Sequence, residues 1–186
     1  MAKRKVRERP DSSLLFRILI LFLEILLVVL MAYFVSRLFF RTVSMMDSSM
    51  EPTMSVGDTM LLDKAAFRLH SPRRGDVIAY RTTDDETEIL HVKRIIGLPG
   101  ETVQIVDGPI LIDGETYIVG KNFSEIIDPG IASDRITLAD DEFFVLGDNR
   151  NGSRDSRYGS VGNVRSKRVE GKIWFRIRPL RRIGGI

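Results

Sequence analysis

The chain has 186 residues, 44% of them hydrophobic, enough for one membrane segment and one domain of ordinary size with a continuous core. Its net charge of +3 is too weak to mark a nucleic-acid binder, and the absence of cysteine excludes disulfides, thiolate metal sites and a cysteine nucleophile. With only His70 and His91, it also lacks the makings of a histidine-rich metal centre, so neither a cofactor nor a metal is expected.

Residues 1–13 form a basic segment with Lys3, Arg4, Lys5, Arg7 and Arg9. Leu14 to Phe40 follows as the longest apolar stretch, and from Ile18 to Val35 its sole ionisable group besides tyrosine is Glu24. As a helix that core rises about 27 Å, close to the hydrocarbon thickness of a bilayer. An acid at mid-span costs about 2.5–3.5 kcal/mol if it behaves like aspartate, while each Leu, Ile, Phe or Val returns roughly 0.3–0.6 kcal/mol. The sum favours insertion, with Glu24 neutral or paired in the membrane. A cleaved signal peptide would have a shorter apolar core and a small-residue exit site, and neither is present. The basic residues before the span outnumber Arg37 and Arg41 at its far end, which places residues 1–13 in the cytoplasm. Residues 41–186 then form an extracytoplasmic domain on a single-pass anchor in the cell membrane.

Beyond the span, short alternating runs separated by turn residues announce a mainly β domain. The expected strands are Thr59–Leu62, Asp76–Tyr80, Ile89–Ile96, Thr102–Val106, Ile110–Ile112, Glu115–Ile118, Phe143–Leu146 and Gly171–Ile177. Asp113-Gly114 between two apolar runs is a two-residue hairpin signal. Asp63–Leu69 reads as a short helix or a continued strand, and Lys121–Leu138 as a long, partly ordered loop.

The chemistry lies in Ser49-Met50-Glu51-Pro52-Thr53 and, about forty residues on, Lys93. A serine hydroxyl is a poor nucleophile until a base takes its proton. Lysine serves only when uncharged; with an ordinary pKa of about 10.4 the neutral form at pH 7 costs about 4.6 kcal/mol. Burial among apolar groups removes most of that cost. Ile89, Leu90, Val92, Ile95 and Ile96 offer such surroundings, and on a strand His91, Lys93 and Ile95 share one face while Val92 and Arg94 take the other. Taken singly, the serine segment could be a turn after a helix and Lys93 an exposed edge residue; together they suggest a reacting pair.

These segments resemble the type I signal peptidases, the Ser/Lys dyad family. Its pattern is a membrane anchor, Ser-Met-x-Pro-Thr, a Gly-Asp segment, Arg-Gly-Asp-Val, Lys-Arg-x-x-Gly-x-Pro-Gly-Asp/Glu, and a late Gly-Asp-Asn-Arg…Ser-x-Asp-Ser-Arg box. Here stand Ser49–Thr53, Gly57-Asp58, Arg74–Val77, Lys93–Glu101 and Gly147–Arg150 with Ser153–Arg157. The resemblance implies Ser49 as nucleophile, Lys93 as general base, Ser153 orienting the lysine amine, and Asp155 and Arg157 bracing the site. It implies a largely β extracytoplasmic domain and removal of signal peptides from exported precursors after small residues, through an acyl-enzyme. Precursor proteins and the lipid bilayer are then the expected partners, and nucleic acid is not. Met50, Met54, His91 and Val92 flank the pair and are candidates for the substrate pocket, His91 as a wall rather than a base.

Asp47 departs from the pattern, which has serine or glycine two residues before the nucleophile. An ionised aspartate cannot donate to an oxyanion, leaving the Ser49 backbone N–H as the expected donor. Asn151 and Gly152 are further departures, of little expected consequence. Two other functions compete: an assembly factor for exported proteins with little catalysis, and a self-cleaving repressor. The repressor would need a DNA-binding helix-turn-helix, for which residues 14–40 are far too apolar.

Overall fold

A computed structural model describes residues 12–82, 89–118 and 123–186. It divides into two units, residues 1–39 and 40–186. In the first, helix α1 (Ser12–Phe39) is long and apolar enough to cross a membrane. From Leu14 onward it exposes Leu, Ile, Val and Phe on every side, so it has no face made for packing in a soluble core.

The second unit is mainly β. Its strands are β1 (Phe40–Ser44), β2 (Thr59–Asp63), β3 (Val77–Tyr80), β4 (His91–Gly97), β5 (Thr102–Ile105), β6 (Ile110–Ile112), β7 (Glu115–Tyr117), β8 (Ile136–Thr137), β9 (Glu142–Leu146), β10 (Val164–Arg165), β11 (Val169–Arg178) and β12 (Gly184–Gly185). Among the described residues the large sheet runs β1-β2-β11-β3-β4-β9-β10 with β12 on β11, and a smaller one runs β7-β6-β5-β8. The assigned pairs are antiparallel.

The large sheet buries both faces. Val77, Ala79 and Val92 point to one side with Met60, Leu62 and Ile173. Ile78, Tyr80 and Ile95 point to the other with Phe143 and Val145. Ile96, Phe144 and Leu146 join Val103, Ile105 and Ile110 in a third cluster that binds the small sheet to the large one. At the tip of the β6–β7 hairpin Asp113 and Gly114 have φ of +53° and +85°, the two left-handed residues of a tight hairpin turn.

The eight expected strands are all present, with ends shifted by a residue or two in most. The structure adds β1, read above as the tail of the span and its exit. Phe40, expected to end the span, instead pairs with Asp63. The two-residue strands β8, β10 and β12 are too short to carry an alternating pattern. Residues 66–69 settle as helix α2 (Ala66–Leu69), because the Asp63 carboxylate accepts the N–H groups of Ala65 and Ala66 at 2.8 and 3.0 Å. Within the expected loop 121–138, of which residues 121 and 122 lie outside the described residues, there is a turn of 3-10 helix (Gly130–Ser133), and β8 is ordered by pairing with β5.

Candidate active site

Ser49 lies in the turn that leads from β1 toward β2. Met50 and Met54 are wholly buried in the core below it, and Met54 N–H donates to the Met50 carbonyl at 2.9 Å. The serine therefore sits beside an anchored side chain and cannot drift. The late loop holds it from above: Asn149 N–H donates to the Ser49 carbonyl at 3.0 Å, and Asn149 Nδ2 to Ser48 O at 3.2 Å.

Lys93 is supplied by β4, in register with Ile78 of β3. It is 2% exposed, Ser49 is 4% exposed, and Lys93 Nζ lies 2.7 Å from Ser49 Oγ. Burial pushes the lysine amine below its ordinary value, against the opposing charges of Asp47 and then Asp155. Arg94, one residue on, takes the other face of the strand. Its guanidinium is bound by Asp148 through two bonds, at 2.8 and 2.6 Å, so its charge is matched away from the amine.

The pair lines a cleft of about 520 Å³ together with Asp47, Tyr80, Thr82 and His91. Gly152, Arg154, Ser160 and Val161 of the late loop form its other wall. A larger hollow of about 640 Å³ lies between residues 56–58 and 178–182, but it shares no lining residue with the serine and lysine.

Asp155 and Arg157 form the frame of that loop. Asp155 is fully buried, accepts the Gly147 N–H at 3.0 Å, and binds Arg157 Nε and Nη2 at 2.8 and 2.9 Å. Other motif residues are struts too: Asp58 binds Arg176 and Arg182, and Asp76 binds Lys172 at 2.7 Å. These ion pairs join distant parts of the chain, which residue spacing alone does not reveal.

Three expectations change. Met50, Met54 and Val92 are not pocket walls: all three lie in the hydrophobic core, because the side chains beside Ser49 and Lys93 point away from the cleft. His91 does line the cleft, across from Tyr80 on the paired strand. Ser153 is buried, but its Oγ has no hydrogen-bond partner among the described residues; the lysine amine is turned to Ser49 instead. The Ser49 N–H, expected to be open, donates to Asp47 Oδ1 at 2.9 Å. The residues missed from sequence are Tyr80, Thr82, Arg154, Ser160 and Val161. Only Tyr80 had a signal, its place opposite His91 on a neighbouring strand.

A model of the family described as signal peptidase, peptidase S26, matches residues 18–178. A probable signal peptidase I-2 of Synechocystis sp. is 35% identical over 145 residues, 74% of this chain and 62% of that protein. The signal peptidase I of Bacillus licheniformis is 31% identical over 166 residues, 86% of this chain and 88% of that protein. A crystal structure of a signal peptidase I from Enterococcus faecalis V583 is 32% identical and covers 55% of this chain and 97% of that one, with a TM-score of 0.42. Because the family match takes in both the serine turn and the lysine strand, and extends over most of the sequence, the chain belongs to the signal peptidase family, peptidase S26.

Proposed function

We propose that this protein is a membrane-anchored serine endopeptidase that removes signal peptides from exported precursors, cutting after small residues. The observation that carries the reading is the buried Lys93 amine 2.7 Å from the Ser49 hydroxyl on the floor of an open cleft. In its neutral form Lys93 takes the Ser49 proton as Oγ attacks the scissile carbonyl. The resulting ammonium then gives that proton to the leaving amine, and the acyl group stays on Ser49. A water, deprotonated by the same lysine, releases it. Asp155 and Arg157 act at a distance, holding Gly147 and the late loop against the serine turn.

Residues 1–13 lie in the cytoplasm in this reading, residues 14–39 cross the bilayer, and residues 40–186 work outside it. The precursor enters as an extended strand, and its small side chains fit the space bounded by Tyr80, His91 and Val161.

The test is cleavage of a secreted precursor with Ala at −3 and −1 by membranes carrying the full chain. Wild type cleaves it, and Ser49→Ala and Lys93→Ala each abolish cleavage. Near-normal activity in either variant would remove the pair from the mechanism. An inert wild type that is still needed for export would favour the assembly-factor reading.

A further inference from the structure

The Ser49 amide is the donor nearest to where charge must develop. It moves with Oγ, so any tetrahedral oxyanion formed on Ser49 arises within its reach. Here that N–H is already given to Asp47 Oδ1, two residues back, at 2.9 Å. An acyl oxygen and a carboxylate cannot both accept it in line, and two negative oxygens at that separation repel strongly in a partly dry cleft.

We propose that Asp47 is a self-blocking residue: its carboxylate fills the oxyanion seat at the Ser49 amide and keeps Lys93 company as a counter-ion, so that a peptide must displace it before Ser49 can react. This rests on the reading of Ser49 and Lys93 as the reacting pair. Asp47 lines the same cleft as both. Its side chain is exposed, so it swings into water without disturbing the core.

The electrostatics describe a closed resting state. Burial alone would raise the Asp47 carboxyl, but the hydrogen bonds from Ser49, then the charges of Lys93 and His91, hold it below its ordinary value. In return Asp47 is the foremost charge holding the lysine amine up against burial. Each group thus favours the charged form of the other, and a charged Lys93 is not a base. The other groups that face them are Tyr80 from β3, His91 from β4, and Arg154 and Asp155 from the late loop. Asp155 is already bound on both oxygens by Arg157, which leaves Asp47 as the carboxylate free to move.

The experiment compares kcat/KM against pH for the full chain in detergent, using a precursor peptide with Ala at −3 and −1, for wild type, Asp47→Ser, Asp47→Asn and Ser49→Ala. Asp47→Ser frees the amide, supplies a neutral hydroxyl and removes the charge, so kcat/KM rises at least about tenfold. Asp47→Asn keeps an acceptor for the amide but not the charge, so it gains less. In both variants the acid limb moves to lower pH by about one unit, because a lysine without its counter-ion loses its proton more readily. A purely structural turn would not move that limb. If both variants match or fall below wild type with the limb unmoved, while Ser49→Ala is inert, Asp47 is not a block. If Ser49→Ala retains activity, the reacting pair itself is wrong and the block falls with it.

Discussion

Arg94 grips Asp148 with two hydrogen bonds, Nε to Oδ1 at 2.8 Å and Nη2 to Oδ2 at 2.6 Å, and its Nη1 donates to Gly75 O at 2.7 Å. The strand that carries Lys93 is thereby tied to the loop that carries Asn149 and Ser153. Asp148 is fully buried as a side chain, so removing its partner strands a carboxylate in the interior. Arg94→Met is expected to destabilise the domain by about 3–5 kcal/mol, read as a fall in denaturation midpoint. The double variant Arg94→Met with Asp148→Asn recovers part of the loss, since no unpaired charge remains. Equal stability of wild type and Arg94→Met would show that the pair does not hold the two segments together.

In the proposed mechanism Lys93 pits stability against function. Its amine is depressed in the folded chain, chiefly by burial, and returns to about 10.4 on unfolding. The unfolded chain therefore binds the proton more tightly, and stability rises as pH climbs from the depressed folded value to the unfolded one. Below that window the full penalty of a buried ammonium applies. Lys93→Met, of similar length and without charge, should be inactive yet more resistant to denaturant at pH 7 than wild type, and its stability should not climb across the window. Activity in the wild type should rise with an apparent pKa below that of a free lysine. A less stable Lys93→Met would mean that the bond to Ser49 outweighs the cost of burying the amine.

Met50 tests the division between core and cleft. It adjoins Ser49 in sequence, yet it is wholly buried among Met45, Met54, Met60 and Leu62. Met50→Ala should cost about 2–5 kcal/mol of stability. The preference between Ala and Val at the −1 position should stay unchanged below the melting temperature. Altered preference at constant stability would restore Met50 to the pocket. His91→Ala is the contrasting variant, expected to leave stability nearly intact and to change that preference.

Much of this arrangement is legible in the chain because it follows local rules. The alternation at residues 91–96 sets Lys93 and His91 apart from Val92, and Asp113-Gly114 dictates its own turn. The long apolar helix shows in composition alone. What stays hidden depends on tertiary placement. Phe40–Ser44 is a strand only because Met60–Asp63 lies beside it, and Met50 is a core residue only because the serine turn folds down onto the sheet. The contact of Asp47 with the Ser49 amide has a local signal, since aspartate side chains commonly accept the N–H two residues on.

Gly147 marks the closest approach in the site. A Cβ built there would lie 2.2 Å from Ser153 Oγ and 2.5 Å from the Ser49 carbonyl, so no side chain fits without moving one of them. The Gly147 N–H is also fixed by Asp155, which prevents the loop from backing away as a unit. Gly147→Ala must therefore push the serine turn, because Ser153 is buried and Asn149 ties the loop to the Ser49 carbonyl. A shift of about 1 Å at a nucleophile is enough to lower the rate by about a hundredfold. The expected result is a kcat loss of that order with KM changed little, since the atoms an added Cβ meets first belong to Ser153 and Ser49 and not to the cleft walls at Tyr80 and His91. Raising pH should not restore activity, because the defect is one of position and not of protonation. Recovery at high pH would instead show that Gly147→Ala acts through the charge state of Lys93.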